Sequence, residues 1–123
     1  MASINEQRAL LASVLSGVSG LSVRTERPTQ ARAGDGWVNV GRVAPGLPTT
    51  ACDCTFTVVV VLGSDERRAN EMLATLSVPI INAVTQGALH PSDVGLEPAT
   101  LPAGDSTPGD VFALILTLTL EVS

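Results

Sequence analysis

Apolar and polar positions alternate most strictly along the segment Asp110–Val122. Large apolar residues occupy every second position there, namely Phe112, Leu114, Leu116, Leu118, Leu120 and Val122. A period of two predicts a β-strand with one fully apolar face. Such a strand would be about 40 Å long, roughly twice the usual length. We therefore expect part of its surface to meet another copy of the chain.

A second long strand is predicted over Cys54–Leu62, which alternates at first and is then apolar on both faces. A strand of this kind is buried on both sides. Helices can cover one side, and we expect a partner subunit to cover the other. Shorter strands are predicted over 21–26, 37–43 and 94–101. In the second of these, Val38 and Val40 are expected on one face, with Trp37, Asn39 and Val43 on the other.

Two helices are predicted from apolar residues at helical spacing. The first begins at Ile4 behind a capping box formed by Ser3 and Glu6, and it ends between Leu15 and Ser19. The second begins after Ser64 as N-cap and runs to about residue 86. Its Pro79 lacks a backbone N–H, so we expect a kink or a break over 77–79.

The resulting order is α-β-β-β-α-β-β in a single domain over residues 1–123. It predicts an α+β fold, with an antiparallel or mixed sheet of four to five strands and two helices packed on one face. The segment Ala103–Asp110 is rich in Gly, Pro, Asp and Ser, and it is predicted to be a mobile hairpin loop.

Composition narrows the classes of function. The net charge is −5, all seven basic residues are Arg, and aromatic residues make up 2% of the chain. This excludes a general attraction for DNA and a base-stacking platform for single strands. The acidic residues either keep the protein soluble or line a passage through which DNA slides. No apolar run is long enough for a membrane span, and the N-terminus does not resemble a signal peptide, so we expect a cytoplasmic protein.

Residues able to carry chemistry are few. Cys52 and Cys54 would share one face of a strand, and we expect them to be free thiols. His90 lacks enough soft partners for a zinc site. With Ser92 and Asp93 it resembles a hydrolytic triad only superficially, since triads are assembled from separate elements. We expect no catalytic, cofactor or metal site, and therefore no enzyme.

Candidate interface residues lie in the first long loop and on the outer face of the two long strands. The loop arginines either meet acidic groups of a neighbouring chain or are simply solvated. Trp37 is either an anchor of the core and loop or an interface hot spot. The full set predicted to contact another subunit or a tube is Arg24, Arg27, Arg32, Trp37, Val59, Val61, Val111, Ala113 and Ile115.

The layout of nearly the whole chain resembles a known family. A helix and a short strand precede "DGWVNVGRV", then "CTFTVVVVLG" feeds into "SDERRANEMLATLSVPIINAVTQG", and "VGLEPATLPAGDSTPGDVFALILTLTLEV" follows. This arrangement is similar to the tail terminator proteins of long-tailed, siphovirus-like bacteriophages. The resemblance rests on the order of elements, because no short diagnostic motif is present.

The resemblance implies a structural virion protein. Such proteins form a ring, usually a hexamer, that caps the tail tube, ends its polymerisation and presents the docking surface for the head connector. The implied partners are other copies of the chain, the tail tube protein and the connector or stopper protein, while DNA passes through the lumen without specific binding. The implied location is the neck of the virion tail, after assembly in the host cytoplasm. Alternatives are another head–tail neck, stopper or tail-tube protein, or a small ligand-binding or enzyme domain.

Overall fold

The computed structural model describes residues 3–46, 51–87, 89–102 and 110–122. The described elements, in chain order, are α1 (Ile4–Ser16), β1 (Ser22–Arg24), β2 (Asp35–Pro45), β3 (Cys52–Gly63), α2 (Glu66–Thr85), β4 (Asp93–Pro102) and β5 (Asp110–Val122). The predicted α+β class and the order α-β-β-β-α-β-β are confirmed. Most of the predicted mobile loop falls on Ala103–Gly109, which lie outside the described residues.

The strands form one open five-stranded sheet in the order β1-β2-β3-β5-β4. β1 pairs with β2 in parallel, and the other three pairs are antiparallel. β5 therefore lies between β3 and β4 and pairs with both along most of its length. Because its own chain flanks it on both sides, the length of β5 requires no second copy, contrary to the expectation drawn from its sequence.

Both helices pack on one face of this sheet. The alternating residues of β5 from Leu114 to Val122 are all buried there, as the period of two predicts. They meet a helical layer whose buried side chains are Leu11 and Leu15 of α1 and Leu76, Ile80 and Val84 of α2. Burial of each large side chain contributes about 1.5–3 kcal/mol before ordering costs, so this face is the main source of stability.

The helix ends show which capping predictions hold. Ser3 Oγ accepts a hydrogen bond from the Glu6 backbone N–H at 3.2 Å, as predicted for α1. At α2 the cap is Asp65 and not Ser64, because the Asp65 carboxylate accepts hydrogen bonds from the backbone N–H groups of both Arg67 and Arg68. A carboxylate that satisfies two free donors also complements the positive end of the helix.

Pro79 does not break the second helix, so the predicted break over 77–79 is wrong, while the predicted kink stays a prediction. α2 is continuous from Glu66 to Thr85. Leu76 and Ile80, on either side of the proline in sequence, are both buried against the sheet, while Pro79 itself is exposed. Packing of this apolar face outweighs the loss of one backbone hydrogen bond.

A bulge changes the faces of β2. The register with β3 shifts between Val40 and Val43, so that Val43 pairs with Cys54. Residues directly opposite each other in an antiparallel pair point to the same face, and Cys54 is buried on the helix-covered side. The predicted placement of Val43 on the Trp37 face is therefore wrong, since one extra residue reverses the alternation.

Candidate interaction surface

The sheet face opposite the helices carries a second, smaller apolar cluster. Its buried members are Trp37, Val59, Val61 and Ala113, with Leu101, Val111 and Ile115 packed against them. All six of the apolar residues predicted as interface positions lie in this cluster. These six residues therefore share one face of the sheet, and Leu101 of β4 is the additional member.

The solvent exposure of this cluster shows how much of it is free to contact another subunit. Trp37, Val59, Val61 and Ala113 have relative exposures of 5%, 7%, 5% and 1% in a single chain. Val111 and Ile115 are half-buried. The four buried residues offer little free apolar area, so the expectation that only another subunit could cover them is not supported. Their burial matches the interpretation of Trp37 as an anchor of the core and loop.

The three predicted loop arginines are all exposed. The guanidinium carbon of Arg27 lies 5.2 Å from the centre of the Trp37 ring, within cation–π distance. Arg24 is paired with Trp37 in the register of β1 and β2. The backbone N–H of Arg32 donates to Asp35 Oδ2 at 2.9 Å, which shapes the loop before β2. Arg27 thus lies over the Trp37 ring, and Arg24 is the strand partner of Trp37.

One row of residues crosses the whole open face. The strand registers align, from one edge of the sheet to the other, Arg24, Trp37, Val59, Ile115 and Glu97. The row begins with an exposed cation on β1 and ends with an exposed anion on β4. Glu97 was not singled out by sequence reasoning, because only the strand order places it opposite Arg24.

Beyond the apolar cluster the open face becomes polar. Thr57 pairs with Thr117, and Thr55 pairs with Thr119. The two Oγ1 atoms of the second pair lie 3.2 Å apart, at hydrogen-bonding distance. Asp53 and Glu121 form the next pair of the ladder. This half of the face combines hydroxyl and carboxylate groups, a surface that stays hydrated and does not attract nucleic-acid phosphates.

Arg8 closes part of the β2 edge and was missed as a structural residue. Its side chain is only 20% exposed. The Nε group donates to the Val38 carbonyl oxygen at 2.9 Å. The same guanidinium donates to the Thr25 carbonyl oxygen and lies 3.1 Å from Glu26. It thereby occupies backbone acceptors just where β1 ends.

The potential metal ligands are the His, Cys, Asp and Glu side chains in the part of the chain that the structure describes. No group of three His, Cys, Asp or Glu side chains is arranged to hold a metal ion among those residues. Cys52 and Cys54 are free thiols on the helix-covered side. Burial raises the pKa of the Cys54 thiol, which disfavours the reactive thiolate.

An open groove lies between the end of α1 and one side of α2. Its lining includes Gly20 from the turn after α1 and Arg68, Met72 and Leu76 from α2. Ser19, Glu71 and Thr75 complete the lining, and the groove is widely open to solvent, so it lacks the enclosed form of a ligand site.

No model of a known protein family matches this sequence, and no curated protein matches it either. Within the described residues, no helix is both long enough and apolar enough to cross a membrane.

Proposed function

We propose that this protein is a structural subunit of a bacteriophage tail, and specifically the terminator that forms a ring on the end of the tail tube. The family resemblance implies that the ring is a hexamer. In this role it ends tube polymerisation and offers the head connector a docking surface. DNA passes through the opening without specific binding.

The observation that carries the proposal is the form of the sheet. It is open, both described helices pack on one face, and its two edges differ in charge, with exposed Arg24 on β1 and exposed Glu97 on β4. A closed ring is built from heterologous contacts, in which one patch meets a different patch on the next copy. Unlike edges on one rigid sheet suit such contacts better than they suit a lone globular enzyme.

Two further features support the same proposal. The order of elements that gave rise to the family resemblance is the order found in the fold. The hydroxyl and carboxylate groups of Thr57, Thr117, Asp53 and Glu121 give the open face a hydrated, acidic half. A surface of that kind suits the wall of a passage for DNA, since like charges suppress contacts with phosphate.

Electron microscopy of tails assembled with and without this chain tests the proposal. A terminator predicts overlong tubes when the chain is absent and tubes of uniform length when it is restored. Tubes of normal length in its absence would contradict the role. If the purified chain polymerises into tubes on its own, it is a tail-tube subunit. If tails are of uniform length but do not join heads, it is a neck or stopper protein.

A further inference from the structure

The two edges of the sheet carry opposite charge. At one edge, Arg24 of β1 and Arg42 of β2 are exposed. At the other edge, Asp93 and Glu97 of β4 are exposed. The sequence contains no Lys, and no Arg follows Arg68, so neither β4 nor β5 has a cation to balance its carboxylates.

These edge charges are not neutralised within the described part of the chain. The salt bridges found among those residues join Arg8 to Glu26 and Arg67 to Glu71. The first bridge lies at the β1–β2 edge, but neither bridge involves Arg24, Arg42, Asp93 or Glu97. The charge of each edge is therefore available to a partner, and the partner that matches one edge is the opposite edge of a second copy.

The strand register places the cations of one edge and the carboxylates of the other at the same height along the strands. Arg24 and Glu97 are the two ends of the row that crosses the open face. On the helix-covered face, a second row runs from Val40 through Phe56 and Leu118 to Val94. Val40 is 42% exposed and Val94 is half-buried. If the β4 edge of a neighbouring copy lies beside the β1–β2 edge, its Glu97 can thus contact Arg24 while its Val94 contacts Val40.

Symmetric pairing of like edges is disfavoured. Two β4 edges would bring carboxylates together, and two β1–β2 edges would bring arginines together, and like charges directly opposite are destabilising. Pro98 also removes a donor from β4, and the Val38 carbonyl is already occupied by Arg8. A contact between unlike edges, made mainly by side chains, avoids both penalties.

We propose that a second copy of this chain docks head to tail, with Glu97 and Asp93 of its β4 edge against Arg24 and Arg42 of the first copy, and with Val94 against Val40. The inference deepens the proposed ring and rests on it, by assigning the surfaces through which its subunits meet. Repeated around an axis, this contact either closes a ring or continues as a filament.

Charge reversal tests the pairing by sedimentation or light scattering at low ionic strength. Glu97→Arg and Arg24→Glu are each expected to weaken self-association by about fivefold or more. The double variant, which exchanges the charges, is expected to return to within about twofold of the original. A mixture of the two single variants should also associate. Glu97→Arg has two positive edges and Arg24→Glu has two negative edges, so the edges of one variant attract those of the other. Glu71→Arg, on the exposed side of α2, is the matched control and should leave association unchanged.

Cysteine cross-linking tests the geometry without reliance on affinity. In a Cys52→Ser background, the pair Arg24→Cys with Glu97→Cys should give a ladder of disulfide-linked multimers on mild oxidation. Each single variant should give no ladder. The contact is overturned if the double variant gives no ladder at high protein concentration, if single variants cross-link as well, or if charge exchange fails to restore association. Tail-length measurements decide the proposed function separately, since a terminator that used other surfaces would still control tube length.

Discussion

The Nε group of Arg8 donates a hydrogen bond to the backbone carbonyl oxygen of Val38 at 2.9 Å. The two residues belong to α1 and β2, and the same guanidinium also reaches Thr25 and Glu26, just beyond β1. One side chain thus ties the first helix to the edge of the sheet. It also satisfies acceptors that would otherwise form an unpaired strand edge, a site for unwanted pairing with other chains.

Replacement of Arg8 by Ala is expected to lower the free energy of unfolding by about 1–3 kcal/mol, because part-buried carbonyl groups lose a charged donor. Urea unfolding measures the change. Arg67→Ala is the matched control, since Arg67 is 89% exposed and its contact with Glu71 is 3.5 Å long; its effect should stay within about 0.5 kcal/mol. Equal effects of the two changes would show that Arg8 has no special role.

Leu118→Ala is expected to destabilise the protein by about 2–5 kcal/mol, because Leu118 is fully buried beneath the helices and its truncation leaves a cavity. Ile115→Ala, three residues earlier in the same strand but half-buried on the open face, should cost less. Chemical unfolding of the two variants compares the faces directly. A larger effect at Ile115 would mean that the open-face cluster, and not the helix-covered face, is the main core.

Pro79→Ala is expected to stabilise the protein by about 1–3 kcal/mol, because alanine restores a backbone donor within an unbroken helix and has a higher helix propensity. Helical circular dichroism should be unchanged or slightly stronger. The neighbouring Val78→Ala, at a position that is 64% exposed, is the control and should change stability little. A loss of stability in Pro79→Ala would argue that the helix is broken there.

The raised pKa of Cys54 predicts a pH dependence. Above about pH 8.5, the ordinary thiol pKa, the unfolded chain loses the proton while the buried thiol keeps it. The unfolded state then binds fewer protons, so the free energy of unfolding falls as pH rises, with a slope of at most about 1.4 kcal/mol per pH unit. Unfolding curves across alkaline pH measure this slope. Cys54→Ala should remove this contribution to the slope of the unfolding free energy against pH, and Cys52→Ala should keep it. Identical slopes in the two variants would show that other groups cause the dependence.

The elements that sequence reasoning predicted well are those in which one periodicity dominates. The alternation from Leu114 to Val122 matches the buried face of β5, and Ser3 caps α1 as its spacing with Glu6 predicted. Local patterns specify such features because each residue's position depends mainly on its near neighbours in sequence.

The misplaced features depend on contacts between distant segments. The bulge after Val40 is set by the pairing of β2 with β3, and the continuity of α2 through Pro79 is set by packing on the sheet. The candidate surface shows the same division. Six of its seven apolar members were named from the sequence, whereas Leu101 and the alignment of Arg24 with Glu97 follow only from a strand order that brings together five separate segments.

The position of β5 in the sheet has a consequence for synthesis. This strand lies between β3 and β4 but follows both in chain order. While the ribosome is still adding residues 110–122, β4 has no strand with which to pair, and the apolar side chains of β3 lack their partners on one side. The nascent chain therefore completes its sheet only after β5 has left the exit tunnel, and until then the apolar side chains of β3 are open to unwanted contacts.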